Sequence, residues 1–88
     1  MPERRVVVAS KVGLHARPAA TLAKAAAAAP VEVTIAKEGG TPVAAGSVLN
    51  LMTLGAAHGD TVVLFAEGEG AEEVLDRLEK LIATDTDA

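Results

Sequence analysis

Between Val31 and Lys37 apolar and polar residues alternate with period two. This predicts a strand with one wet face and with Val31, Val33 and Ile35 turned inward. Glu38-Gly39-Gly40 supplies the glycines of a tight turn, and Thr41 to Ala44 returns as a short strand. Pro42 has no N–H to give to a ladder, so this strand belongs at a sheet edge. Two further runs have strand character: the short β-branched run Arg5 to Ser10, and Asp60 to Glu67, whose continuous apolar centre is expected to turn Val62, Leu64 and Ala66 inward.

The period changes in three places. From Ala16 to Ala29 nearly every residue is a strong helix former; Leu22 is flanked at helical spacing by Ala19, Ala23 and Ala26, and Pro30 closes the segment. Pro18 leaves the start of this helix open between Ala16 and Pro18. Ser47 opens a brief helix as its N-cap, with Asn50 where a capping box would carry Glu or Gln, and Gly55 stops it. After the turn Gly68-Glu69-Gly70, Ala71 to Ala83 sets Ala71, Val74, Leu75, Leu78 and Ile82 on one stripe, with Glu72 and Glu73 early and Arg77 and Lys80 late. The polar tail from Thr84 to Ala88 is expected to fray. The order strand, helix, strand, strand, helix, strand, helix, with half-wet strands that accept helices on one face only, gives an α+β class.

Composition narrows the function. At 88 residues, half of them hydrophobic, the chain makes one domain spanning 1–88, with a core of Val, Leu, Ile and Ala because Phe65 is its single aromatic residue. Eight basic residues against twelve acidic ones, without stacking aromatics, argue against nucleic acid as a partner. The absence of cysteine removes disulfides and thiolate metal sites, and His15 and His58 lie too far apart in sequence to suggest zinc, so neither metal nor cofactor is expected. His58 is assigned to a solvated loop. The apolar run Val6 to Ala9 behind Arg4-Arg5 is too short for an export signal. Thr21 and Lys24 interrupt the alanine-rich segment, so no membrane insertion is expected and the default compartment is the cytoplasm.

The candidate chemistry lies in Gly13-Leu14-His15-Ala16-Arg17-Pro18. It places an imidazole and a guanidinium where a helix begins, and the free N–H groups of a first turn, with roughly half a positive charge, favour an anion such as phosphate. Gly13 lets backbone approach closely, and Arg17 offers a planar fork of donors that matches phosphate oxygens. Neighbouring positive charge disfavours the imidazolium, so His15 is expected to have a lowered pKa and to stay nucleophilic at neutral pH.

The segment Gly13 to Ala20 resembles the active-site segment of HPr, the histidine phosphocarrier family of the bacterial phosphoenolpyruvate-dependent sugar phosphotransferase system. Gly46-Ser47-Val48-Leu49-Asn50-Leu51-Met52-Thr53-Leu54-Gly55 resembles the family's second conserved block. The resemblance implies an open-faced sandwich, a four-stranded antiparallel sheet with three helices on one face. It implies that His15 accepts a phosphoryl group from phospho-enzyme I, charged by phosphoenolpyruvate, and passes it to sugar-specific enzyme IIA domains. Arg17 and the backbone of Ala16 and Arg17 would stabilise the phosphate. The chain would then be a carrier and not an autonomous enzyme, with a monomer the simplest state.

Partner docking is implied at Ala16, Ala20, Val48, Leu49 and Met52. Leu51 and Leu54 are assigned to the core, because a short amphipathic helix must bury one side. Ser47 aligns with a serine that an HPr kinase/phosphorylase modifies in many members, although helix capping is the simpler explanation. Three positions depart from the family pattern: Val12 replaces a small polar residue, Ala27 lacks a positive charge and Gly46 stands where a basic residue is frequent. The nearer alternative is a specialised paralogue of a nitrogen-regulatory or dihydroxyacetone kinase relay, and the more distant one is a noncatalytic ligand-binding or assembly domain.

Overall fold

The computed structural model describes residues 3–9, 13 and 16–84. The proposed phosphoacceptor His15, the departure at Val12, the strand end at Ser10 and the tail beyond Thr84 lie outside the described residues, as do the side chains of Ala16 and Pro18. The elements run β1 (Glu3–Val7), α1 (Ala16–Ala27), β2 (Val33–Lys37), β3 (Val43–Ala44), α2 (Val48–Thr53), β4 (Thr61–Ala66) and α3 (Ala71–Ala83). All strand pairs are antiparallel and the sheet order is β1-β4-β2-β3. Pro42 therefore precedes an edge strand, as its missing N–H requires.

The three helices cover one face of this sheet, and the core lies between the layers. Leu22 of α1, Ile35 of β2, Leu51 of α2, Val62 and Leu64 of β4, and Leu75 and Leu78 of α3 are fully buried there. Val33 and Ile35 turn inward, whereas Val31 is half-buried ahead of β2 and packs against the core rim. Val62, Leu64 and Ala66 are buried as the alternation requires, and Ala19, Leu22, Ala23 and Ala26 form the inner face of α1. Leu→Ala at such positions typically costs about 2–5 kcal/mol.

Several boundaries differ from the sequence reading. β1 begins two residues earlier, at Glu3, because Glu3 and Arg4 pair with Phe65 and Leu64, and it ends at Val7, so Val8 and Ala9 of the expected run lie outside the strand. Arg4 sits on the helix side of the sheet, where its guanidinium donates to Asp76 at 2.6 Å, Glu79 at 2.7 Å and Glu72 at 2.9 Å. The three carboxylates follow helical spacing on α3, so one cation ties an edge strand to the helix above it. Those hydrogen bonds raise the Arg4 pKa further, the bonds to Asp76 and Glu79 contributing most.

At the other strands, β2 and β3 begin later and β4 is trimmed at both ends relative to the hydropathy runs. α1 ends at Ala27, two residues before the last alanine, although Ala28 still donates to Lys24 and Ala29 to Ala26. On the face away from the helices Ala36 and Val63 are also buried. These two residues are paired across β2 and β4 at the sheet centre, where neighbouring strands shield them.

Candidate functional site

α1 starts at Ala16, which settles the open choice: the first helical backbone groups are those of Ala16 and Arg17, immediately after His15. Arg17 is exposed. Its carbonyl accepts the Thr21 hydroxyl at 3.2 Å, a bond from the following turn of the helix. No acidic residue lies in the first turn of α1, so nothing there neutralises the positive helix end.

Two residues before His15, Gly13 holds φ +71°. A β-carbon built on it would stand 2.5 Å from the Ala56 carbonyl oxygen and 2.9 Å from Ala57 Cα. Both the dihedral and the space exclude a side chain. The segment that carries His15 therefore rests, at Gly13, directly on the loop that follows α2.

That loop is tied on two sides. The Gly59 N–H donates to the Val8 carbonyl at 2.9 Å, and the Val8 N–H donates to the Asp60 carbonyl at 2.9 Å, which extends the pairing of β1 and β4 beyond Val7. The Asp60 N–H donates to the Ala57 carbonyl at 3.0 Å, while Asp60 Oδ2 accepts the Ala57 N–H at 2.9 Å. Lys37 Nζ lies 3.4 Å from the same oxygen. The Ala57 N–H first, and Lys37 second, hold the Asp60 carboxyl below the usual carboxylate range. His58, in this turn, is exposed as expected.

Ser47 caps α2: its hydroxyl accepts the Asn50 N–H at 3.2 Å. Asn50 does not complete a capping box, because its side-chain amide reaches the Ala44 carbonyl instead. A β-carbon built on Gly46 would stand 3.5 Å from Ala27 at the far end of α1, whereas Ala56 and Ala57 meet Gly13 at its near end. α2 thus runs back along α1, with Met52 toward the His15 end and Ser47 toward the Ala27 end. The structure separates Ser47 from Arg17 by most of the length of α1, about 15 Å at 1.5 Å per residue.

Along that path α2 divides its side chains sharply. Leu51 is 0% exposed, while Leu49 is 71%, Val48 39% and Met52 38% exposed. Leu54 is partly buried against the core, and Ala20 is exposed on α1. Leu51 and Leu54 thus lie on the core side, and of the docking candidates Ala20, Val48, Leu49 and Met52 are exposed. A cleft of about 130 Å³ between α1 and α3, lined in part by Ala28, Pro30, Glu73 and Arg77, sits at the opposite end of α1 from Arg17. Among the described residues no group of three or more His, Asp or Glu is placed to hold a metal, and no helix is long and apolar enough to cross a membrane.

Sequence reasoning missed the contact between Gly13 and Ala56 and the role of Asp60. A turn signal was legible in Gly59-Asp60, but nothing local showed which distant segment the turn would support.

Comparison with known proteins agrees with the geometry. A family model described as PTS HPr component phosphorylation site matches residues 2–84. The chain is 53% identical over 83 residues to phosphocarrier protein HPr of Streptomyces coelicolor, covering 94% of this chain and 89% of that one. It is 39% identical over 80 residues to phosphocarrier protein NPr of Shewanella violacea, covering 91% and 87% respectively. The crystal structure of an HPr from Bacillus anthracis matches with a TM-score of 0.86 at 34% identity, covering 92% of this chain and 95% of that one. A family model that spans nearly the whole chain, together with the shared sheet order and helix layer, places the chain in the HPr family of phosphocarrier proteins.

Proposed function

We propose that this chain carries a phosphoryl group on His15, taking it from phospho-enzyme I and giving it to enzyme IIA domains in the cytoplasm. The observation that supports this reading is the start of α1 at Ala16, which puts the free N–H groups of a first helical turn and the exposed Arg17 next to His15 in the sequence. A neutral imidazole nitrogen attacks phosphorus as the bond from phosphorus to the donor breaks, and the donor leaves with the electron pair. The reverse exchange on the acceptor regenerates free imidazole. Stabilisation of an anion at a helix end amounts to about 0.3–1 kcal/mol, rising to about 2 in favourable geometry. This modest scale suits a group that must be surrendered.

The low hold on the proton is testable. An NMR titration of His15 is expected to give a midpoint below that of free histidine, since a positive helix end and Arg17 oppose protonation. A raised midpoint contradicts this activation.

Partners supply the remaining catalytic groups, and the strip Val48, Leu49 and Met52 supports docking beside the His15 segment. Met52, with a flexible thioether, suits a surface that must fit more than one partner. Met52→Glu is expected to raise the KM for transfer from enzyme I while thermal stability stays near that of the parent. Leu51→Ala is expected to lose about 2–5 kcal/mol of stability. Thermal melts beside transfer kinetics separate the two; a Met52→Glu chain that unfolds assigns the residue to the core. Phosphorylation of Ser47 by an HPr kinase/phosphorylase would place a second anion at the start of α2, in the same strip.

The similarity to an NPr as well as an HPr keeps a specialised relay as the second reading. Phosphoryl transfer to purified sugar-specific enzyme IIA domains distinguishes it from the sugar relay.

A further inference from the structure

Ala56 C=O and Ala57 N–H belong to one planar trans peptide unit, so whatever grips one end orients the other. At one end Asp60 Oδ2 accepts the Ala57 N–H at 2.9 Å. At the other, the Ala56 oxygen faces the backbone of Gly13 so closely that no β-carbon fits between them. The turn is already closed by the Asp60 N–H on the Ala57 carbonyl, and the Gly59 and Asp60 backbones already join Val8. The carboxylate therefore adds little to turn closure itself. What it fixes is the rotation of the Ala56–Ala57 peptide plane.

We infer that Asp60 is a positioning residue for phosphoryl transfer: it holds the peptide on which Gly13 packs, and so sets the path of the chain into His15. This inference rests on His15 being the acceptor. Lys37 contributes charge at 3.4 Å but does not touch the peptide, so the hydrogen bond, and not the ion pair, performs the positioning. Asn at position 60 keeps an oxygen acceptor for the Ala57 N–H, whereas Ala removes it.

The test compares the full chain with D60A, D60N and K37M in transfer from phospho-enzyme I, with backbone amide NMR alongside. D60A is expected to lose about 10- to 100-fold in kcat, the scale of a misplaced reacting group, with little change in KM because the α2 strip is untouched. The Gly13 amide resonance is expected to shift in D60A. D60N recovers most of the rate, and K37M retains it. A folded D60A with parental kcat and an unmoved Gly13 amide overturns the inference, as does a D60N as slow as D60A. If D60A does not fold, D60L is read in its place; unfolding of both makes Asp60 a stability residue and also overturns it. If the parent chain takes no phosphoryl group on His15, the functional reading fails, and the Gly13 shift alone then decides whether Asp60 fixes the peptide.

Discussion

His15→Ala is expected to abolish phosphoryl uptake from phospho-enzyme I while the fold persists. In sequence the residue falls between Gly13 and α1, and the fully buried side chains include Leu22, Ile35, Leu51, Val62, Leu64, Leu75 and Leu78. Arg17→Ala provides the graded comparison. A charge-assisted hydrogen bond contributes about 1.5–3 kcal/mol, which corresponds to about 10- to 150-fold in rate if it acts in the transition state. Rapid-quench transfer assays with thermal melts for each variant check both. Uptake by His15→Ala at the parental rate removes the acceptor assignment, whereas equal rates for Arg17→Ala and the parent leave phosphate stabilisation to the helix backbone alone.

Gly13→Ala is expected to damage both stability and transfer. The left-handed dihedral alone costs an L-residue about 1–2 kcal/mol. The new methyl also meets the Ala56 oxygen at 2.5 Å, a backbone atom that cannot swing aside as a flexible side chain can. Relief requires the loop to lift from the Ala56–Ala57 peptide, and the His15 segment moves with it. A displacement on the order of 1 Å can cost about 100-fold in transfer. Denaturant melts and single-turnover transfer measured on the same variant report the two effects. A Gly13→Ala chain with parental stability and rate shows that this contact does not position the site.

Most of the architecture was legible because its signals are local. α3 was bounded correctly at Ala71 and Ala83, where Gly70 precedes an unbroken apolar stripe. The Ser47 cap and the edge position of β3, the strand just after Pro42, followed from one hydroxyl and one missing N–H. Errors arose where a distant partner decides. The strand reading starts at Arg5 and leaves Arg4 out, whereas in the structure Arg4 pairs with Leu64 in β1 and α3 brings Glu72, Asp76 and Glu79 to its guanidinium. Ala36 and Val63 read as outward positions, yet their pairing at the sheet centre buries them.

The site divides in the same way. The segment from Gly13 to Arg17 is contiguous, so the proposal for its chemistry needs no distant partner. The division of α2 was also legible, because a short helix must bury one side, and the structure buries Leu51 while it exposes Val48, Leu49 and Met52. Asp60 depends on a contact between residues more than forty positions apart in the chain, and no pattern within either segment encodes it.

The most direct measurement incubates the chain with phosphoenolpyruvate and a catalytic amount of enzyme I, then maps the adduct by intact mass, peptide analysis and acid treatment. One acid-labile phosphoryl group on the peptide containing His15, absent when enzyme I is omitted, is the expected result. An acid-stable adduct on Ser47, or no adduct with active enzyme I, contradicts the assignment of His15 as the carrier.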